Sequence, residues 1–310
     1  MARVTKPNKT TTTKRTAAAQ KPAIVEESMG RYINPLTDYG FKRIFGEEAN
    51  KDLLIHFLNS VLEIEGKIVS LQYRNPEQKG RIKTARNAFL DLYCITGKGE
   101  HIIIEMQNIS QKYFKDRVLY YLTFPIQKQA IKGRKWNFNL KPVYSVNILD
   151  FTFGESDDYI QHVQLMYRKT GRVFYDKLLL VFIELPDFDK PDDKLKTDHE
   201  RWMYVLKHLA SLKEIPDSLK RNKIFQKLFM EAEIANMTPE ELEKYDESLK
   251  NYSNMYTVKD IVNDWRKEVV TVKKEYATLF KESVVKDKTI NAQAKRIAEL
   301  ERKLGLNAKV

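Results

Sequence analysis

The chain has 310 residues, 42% of them apolar, and carries a formal net charge of +12 with one cysteine. That is ample apolar material for a large packed core, whereas a single thiol, Cys94, excludes an intrachain disulfide and a thiolate zinc site. No apolar run is long enough to span a membrane and the N-terminus lacks the apolar segment of a secretory signal, so a cytoplasmic protein is expected, its basic balance suited to a polyanionic partner.

In chain order, residues 1–29 are rich in Thr, Lys, Ala and Pro without periodicity and read as a disordered basic tail. In EEANKDLLIHFLNSVLEI the apolar residues Leu53, Leu54, Phe57, Leu58, Val61 and Leu62 recur at helical spacing, which predicts a helix over 48–63. KIVSLQYRN predicts a strand and PEQKGRIKTAR a charged loop. NAFLDLYCI and HIIIEMQ are two β-prone runs joined by TGKGE, a hairpin signal. SQKYFKDRVLYYLTFPIQKQAIKG predicts a helix that Pro125 should kink or shorten and Gly133 should end. KPVYSVNILDF and KLLLVFIEL predict strands, with HVQLMYRK between them as a further one. This alternation favours a mixed α/β core over 30–187. Residues 188–255 read as a helical extension, with Thr238 and Pro239 as N-cap and first position of a helix. The Lys- and Glu-rich remainder, 256–310, predicts a charged helix in which Ile290, Ile297, Leu300 and Leu304 fall near a/d positions, a short coiled-coil seam for a homo-oligomer.

The hairpin carries the chemistry. Side chains alternate along a strand, so Ile103, Glu105 and Gln107 share one face and Ile102, Ile104 and Met106 the other. A loop of residues 96–100 sets Ile95 opposite His101, Asp91 opposite Glu105 and Phe89 opposite Gln107, gathering the polar groups; a four-residue loop scatters them. Buried carboxylates are costly unless paired or bound to metal. Mg²⁺, which takes oxygen ligands and often only one or two carboxylates, suits this sparse pair, and ion pairing with local Lys or Arg is the competing reading. From Ser70 to Ser145 there are fourteen Lys or Arg against five Asp or Glu, a surplus suited to phosphate.

The run FLDLYCITGKGEHIIIEMQ, preceded by LTDYGFKRIFG and followed by YFKDRVLYY, resembles the PD-(D/E)XK nuclease family transposases, relatives of the recombination-promoting nucleases, over roughly residues 30 to 265. Leu90 stands where the family's motif has proline, and Gln107 where it has lysine, although E-x-Q is usual in this branch. The resemblance implies a restriction-endonuclease-like core, a central mixed sheet flanked by helices, with a helical C-terminal extension. It further implies a Mg²⁺-dependent DNA endonuclease, with Mn²⁺ as a substitute ion, linked to DNA recombination or transposition. Asp91 and Glu105 would hold the metal, and Gln107 would lie near the attacking water. Without the lysine, more of the charge stabilisation falls on the metal and cleavage is expected to be slow or conditional.

The family shares the D-x-x-F-K stretch, and the resemblance implies Asp38 as an accessory metal or water ligand and Lys42 as a phosphate contact, against the alternative of helix capping and a solvated lysine; Glu77 is a rival accessory acid. Arg117 shares a helix face with Tyr121 and is expected to neutralise the acids or touch DNA. Lys128, Lys132, Arg134 and Lys135, near Trp136, form a basic cluster for the DNA backbone. Cys94 is expected to pack on the apolar face and His101 to be an exposed bystander. A DNA-binding or assembly protein that keeps the fold without catalysis is the alternative function, and a coiled-coil adaptor is a third, which the hairpin argues against.

Overall fold

Leu36 to Phe45 shows how locally the chain is determined. In the computed structural model, which describes residues 30–78, 87–131, 133, 137–153 and 158–303, helix α1 runs Asp38–Phe45. Its N-cap is Thr37, whose hydroxyl accepts the Gly40 N–H at 3.0 Å. A Cβ at Gly40 would lie 2.1 Å from the Asn34 carbonyl oxygen, so the glycine of DYGF lets the cap close. Phe41, Ile44 and Phe45 then face inward on one stripe. Helix α2, Lys51–Val61, buries Leu53, Leu54, Phe57, Leu58 and Val61, the periodic residues of the sequence, with a short 3₁₀ turn before it over Glu48–Asn50.

Strands β1 (Leu71–Tyr73), β4 (Leu92–Thr96), β5 (His101–Gln107), β6 (Val143–Leu149), β7 (Ile160–Met166) and β8 (Val173–Glu184) make one six-stranded sheet in the order β1-β4-β5-β6-β8-β7. β5, β6 and β8 run parallel and the other pairings are antiparallel. All seven residues of β6 are buried, as expected of a central parallel strand covered on both faces. On one face Cys94, Ile102, Ile104, Val146 and Val181 join α1, α2, α4 (Asp198–His208) and α5 (Lys223–Ala232) in the larger core. On the other, Tyr93, Ile103, Leu149 and Phe182 pack against Phe114, Val118 and Leu122 of helix α3, Phe114–Lys128.

The hairpin has the register of the five-residue loop, with Ile95 opposite His101 and Leu92 opposite Ile104. Gly99 has φ of +83°, a conformation that glycine takes without strain. One expectation fails: Phe89 does not oppose Gln107. The chain leaves the sheet at Leu90, which is buried on the α3 side and donates its N–H to the Pro76 carbonyl at 3.1 Å. Phe89 instead pairs with Glu77 in a separate two-stranded ribbon of β2 (Glu77–Gln78) and β3 (Ala88–Phe89). α3 passes through Pro125 and is shortened, as that residue leads one to expect: it ends at Lys128 and not at Gly133, with Phe124 and Pro125 themselves buried.

The later helices share the larger core. Trp202 lies 5.4 Å from Phe45, 5.6 Å from Phe57 and 5.1 Å from Phe225, ring centre to ring centre. Its indole N–H donates to His56 at 2.9 Å. Helix α6 is continuous over 65 residues, Pro239–Lys303. Its first turns dock on α1: the Asn34 N–H donates to the Tyr245 hydroxyl at 2.8 Å and the Tyr39 N–H to Ser248 Oγ at 3.0 Å. The expected tail of 1–29, most of the loop before Ala88, the basic residues Lys132, Arg134 and Lys135 with Trp136, and Leu304 lie outside the described residues.

Candidate active site

Backbone pairing between β4 and β5 ends at Leu92 and Ile104. At the next position the two acids take over the work of the ladder. Asp91 Oδ2 accepts the Met106 N–H at 2.7 Å, and Glu105 Oε1 accepts the Asp91 N–H at 3.3 Å. Each carboxylate is thus held by the strand that carries the other. Glu105 is buried and Asp91 half-buried.

This placement is electrostatically uncomfortable. Burial raises the Asp91 pKa; the Met106 N–H opposes that rise, the Asp38 charge adds to it, and Lys42 and Arg117 pull it down. Burial and then the Asp91 charge push Glu105 well above the usual carboxylate range, with Arg117 and the Asp91 N–H working the other way. Two acids that repel one another in a desolvated corner are what a bound cation relieves.

Asp91 opens onto a cleft of about 690 Å³ between α1, the β1–β4 edge and α6. Asp38 and Lys42 line it from α1, Arg74 from the end of β1, and Lys244, Asn251 and Tyr252 from α6. Asp38 and Lys42 form an exposed i,i+4 ion pair at 2.8 Å. Capping of α1 belongs to Thr37, not to Asp38. Glu77, the rival acid, sits on the β2–β3 ribbon, where its N–H binds Asn75 Oδ1 at 2.8 Å; Asp38 is the acid whose charge reaches Asp91.

Arg117 approaches from the α3 side. Its guanidinium lies 5.4 Å from the Phe114 ring centre and 5.7 Å from that of Tyr121. Nη1 donates to Gln111 Oε1 at 2.8 Å and Nη2 to Gln107 Oε1, while the buried Nε has no protein partner. Its charge acts on both acids, yet its hydrogen bonds go to the two glutamines. Gln107 is engaged at both ends, since its Nε2 donates to the Ile109 carbonyl at 3.0 Å.

Lys128 lies away from this group. Its ammonium sits 5.3 Å from the Tyr93 ring centre and, with its pKa lowered by burial, stands near His101 at the opposite end of β5. Four residues of strand separate His101 from Glu105, about 13 Å. His101 itself corrects an expectation: it is buried, and its Nδ1 shares a 2.6 Å hydrogen bond with the Tyr93 hydroxyl. A strand end beside a turn exposes a side chain only when nothing covers it, and here Tyr93 and α3 do. Cys94 is fully buried in the larger core, as expected.

Three contributors escaped sequence reasoning. Asn108 is buried and donates to the Leu36 carbonyl at 3.0 Å, tying the end of β5 to the chain before α1. Arg74 and Lys244 reach the cleft only through tertiary docking; within their own segments they read as solvated charges. Among the described residues no group of three or more His, Cys, Asp or Glu is placed to hold a metal ion. The donor set is therefore two carboxylates, with Asp38 nearby across the cleft, and it fits a hard, water-rich ion better than a closed cage of protein ligands.

A family model described as PD-(D/E)XK nuclease family transposase matches residues 35–261, well over half of the chain. The chain belongs to that family. No curated protein and no solved structure matches it. The matched span of this PD-(D/E)XK protein runs from the turn before α1 through the acid hairpin and the sheet into α6, so every cleft-lining residue named above lies within it. Nucleases of the PD-(D/E)XK type generally use divalent metals. Among the described residues, no helix is long and apolar enough to cross a membrane.

Proposed function

We propose that this protein is a metal-dependent DNA endonuclease acting in DNA recombination or transposition, in the cytoplasm. The observation that carries this reading is the cross-braced pair Asp91 and Glu105, two desolvated carboxyls of which Asp91 opens onto a cleft that also presents Lys42, Arg74 and Lys244. Asp91 and Glu105 would hold Mg²⁺, or Mn²⁺ in its place, with Asp38 as an accessory acid. When bound, a divalent cation supplies Lewis acidity toward the phosphodiester and makes water a better nucleophile.

The chain's own groups do the rest. Lys42, Arg74 and Lys244 bind the DNA backbone and draw it over Asp91. Arg117, packed between Phe114 and Tyr121, stands on the other side of the acids, and its charge favours both of them in their ionised form. Gln107, held by Arg117, brings an amide where the family's motif has a lysine. An amide orients water without lending it charge, which accords with slow or conditional cleavage. The basic cluster of the sequence, Lys128 with Lys132, Arg134 and Lys135, is proposed as a separate contact with the DNA backbone, and the C-terminal helix as what joins copies of the chain.

The test is incubation with supercoiled plasmid in Mg²⁺, Mn²⁺ or EDTA. Nicking is expected with either ion, none with EDTA, and none from Asp91→Asn or Glu105→Gln. Full activity in either variant would sink the assignment. A second reading, a DNA-binding or assembly protein without catalysis, draws on Gln107, whose amide is occupied at both ends by Arg117 and Ile109. Titration with Mn²⁺ separates the two, since a scaffold shows no heat of binding that depends on Asp91.

A further inference from the structure

The part of α6 beyond the core is exposed on every side, with Val270, Phe280 and Val285 uncovered as well as a regular apolar stripe. Trp265, Val269, Val272, Tyr276, Leu279, Ile290, Ile297 and Leu300 are spaced alternately three and four residues apart, save where Ser283, Lys286 and Gln293 fill the same stripe. These eight apolar side chains are between 43% and 69% exposed. The stripe has the heptad period of a coiled coil, with Val269, Tyr276, Ser283, Ile290 and Ile297 at a and Trp265, Val272, Leu279, Lys286, Gln293 and Leu300 at d.

We propose that a second copy of this chain covers the stripe, and that the two helices run antiparallel with Val272 facing Ile297 of the partner helix. The pattern of polar interruptions decides the direction. In a parallel pair each position meets itself: Lys286 faces Lys286, Ser283 faces Ser283 and Gln293 faces Gln293. Across the flanks Glu268 then meets Lys273 and Arg296 meets Glu301, but Glu282 meets Asp287, a like-charge contact, and Glu275 meets Phe280. In the antiparallel pair a meets d, and one alignment sorts most of the stripe. Val269 meets Leu300, Val272 meets Ile297 and Leu279 meets Ile290, while Ser283 meets Lys286. Only the layer of Tyr276 and Gln293 is mixed, and no lysine faces another.

The flanks agree with the same alignment. Glu268 comes to Lys303 and Glu275 to Arg296, each contact made twice by symmetry. In the single chain Arg296 and Lys303 reach Glu299 on their own helix, at 3.1 and 2.8 Å, exposed pairs that hold little. Sliding the helices by one heptad sets Ile290 against Lys286, an apolar side chain against a charge, or Val269 against Gln293. The consequence is spatial. Met255 lies some thirty residues from the midpoint of the alignment, so at about 1.5 Å per residue the two clefts stand roughly 90 Å apart at opposite ends of a rod.

Two measurements test this without DNA or metal, so their failure is distinct from failure of the nuclease reading. Sedimentation equilibrium of the full chain should give a dimer. Val272→Cys and Ile297→Cys variants are then oxidised singly and as an equimolar mixture; the native Cys94 is buried. The mixture should yield a disulfide-linked heterodimer, and each variant alone should not, because like positions stand about 37 Å apart. Glu275→Arg should weaken self-association about tenfold and Glu275→Arg/Arg296→Glu should restore it. Disulfide dimers from either variant alone, a monomer at tens of micromolar, or a double variant no better than Glu275→Arg would overturn the proposal.

Discussion

Glu105 is the residue at which stability and the proposed chemistry pull in opposite directions. Its carboxylate is buried beside Asp91, and the amide of a glutamine would keep the hydrogen bond from the Asp91 N–H while removing the repulsion. Glu105→Gln should therefore raise the stability of the metal-free protein by about 1 kcal/mol or more, read by urea unfolding in EDTA, while abolishing cleavage. A loss of stability would mean that the charge is compensated within the protein. Glu200 is the contrasting acid. Burial pushes its pKa up, but the Lys190 ammonium at 2.6 Å and the N–H groups of Lys196 and Thr197 outweigh that and hold it at about 2. Because the folded value lies below the unfolded one, its contribution is complete at neutral pH and lost as pH falls from about 4.5 toward 2. Glu200→Gln should cost about 2–3 kcal/mol at pH 7, and the gap from the parent chain should close progressively below pH 4.5. The acid pair at 91 and 105 was legible because period two and a loop of fixed length determine who faces whom. The engagement of Gln107 was not, since it depends on the rotamer of Arg117, ten residues away on another element.

Among the elements, α6 does the most that local pattern could not foretell. TPEELEKYDESLKNY reads as a charged helix with a good start, yet its first turns accept two backbone N–H groups, from Asn34 and from Tyr39, that α1 and its lead-in leave open. Arg43 adds a 2.5 Å ion pair to Glu241. Tyr245→Phe would strand the Asn34 N–H in a buried place and should cost about 1–2 kcal/mol in unfolding experiments. It should also weaken DNA binding, because α6 is a wall of the cleft. If cleavage and binding are unchanged, the wall does not depend on this bond. The strands followed expectation where both faces are buried, as in β6 and most of β5, and failed at Phe89, where the partner strand comes from a ribbon that the apolar pattern does not announce. α3 ends three residues after Pro125, whose burial with Phe124 offsets a missing backbone donor over that last turn.

For the whole molecule, ion binding should couple to folding. If Asp91 and Glu105 hold Mg²⁺ or Mn²⁺ as proposed, the ion would stabilise the native state by mass action, about 2.7 kcal/mol at a hundredfold excess over the dissociation constant. The melting temperature should rise with added ion in the parent chain and stay flat in Asp91→Asn; an equal rise in both would place the ion elsewhere. The fold class was readable from the order of helices and strands, while the closeness of α4, α5 and α6 to the early helices was not, since apolar residues such as Trp202 do not announce their partners. One feature of the finished molecule bears on how it moves. From Glu240 to Lys303 α6 contains neither glycine nor proline, and it passes from the cleft wall into the outer rod without a break. A helix with no hinge transmits torque: a turn applied to the far end swings Lys244 and Tyr252 at the near end, so whatever grips the rod also steers the mouth of the cleft.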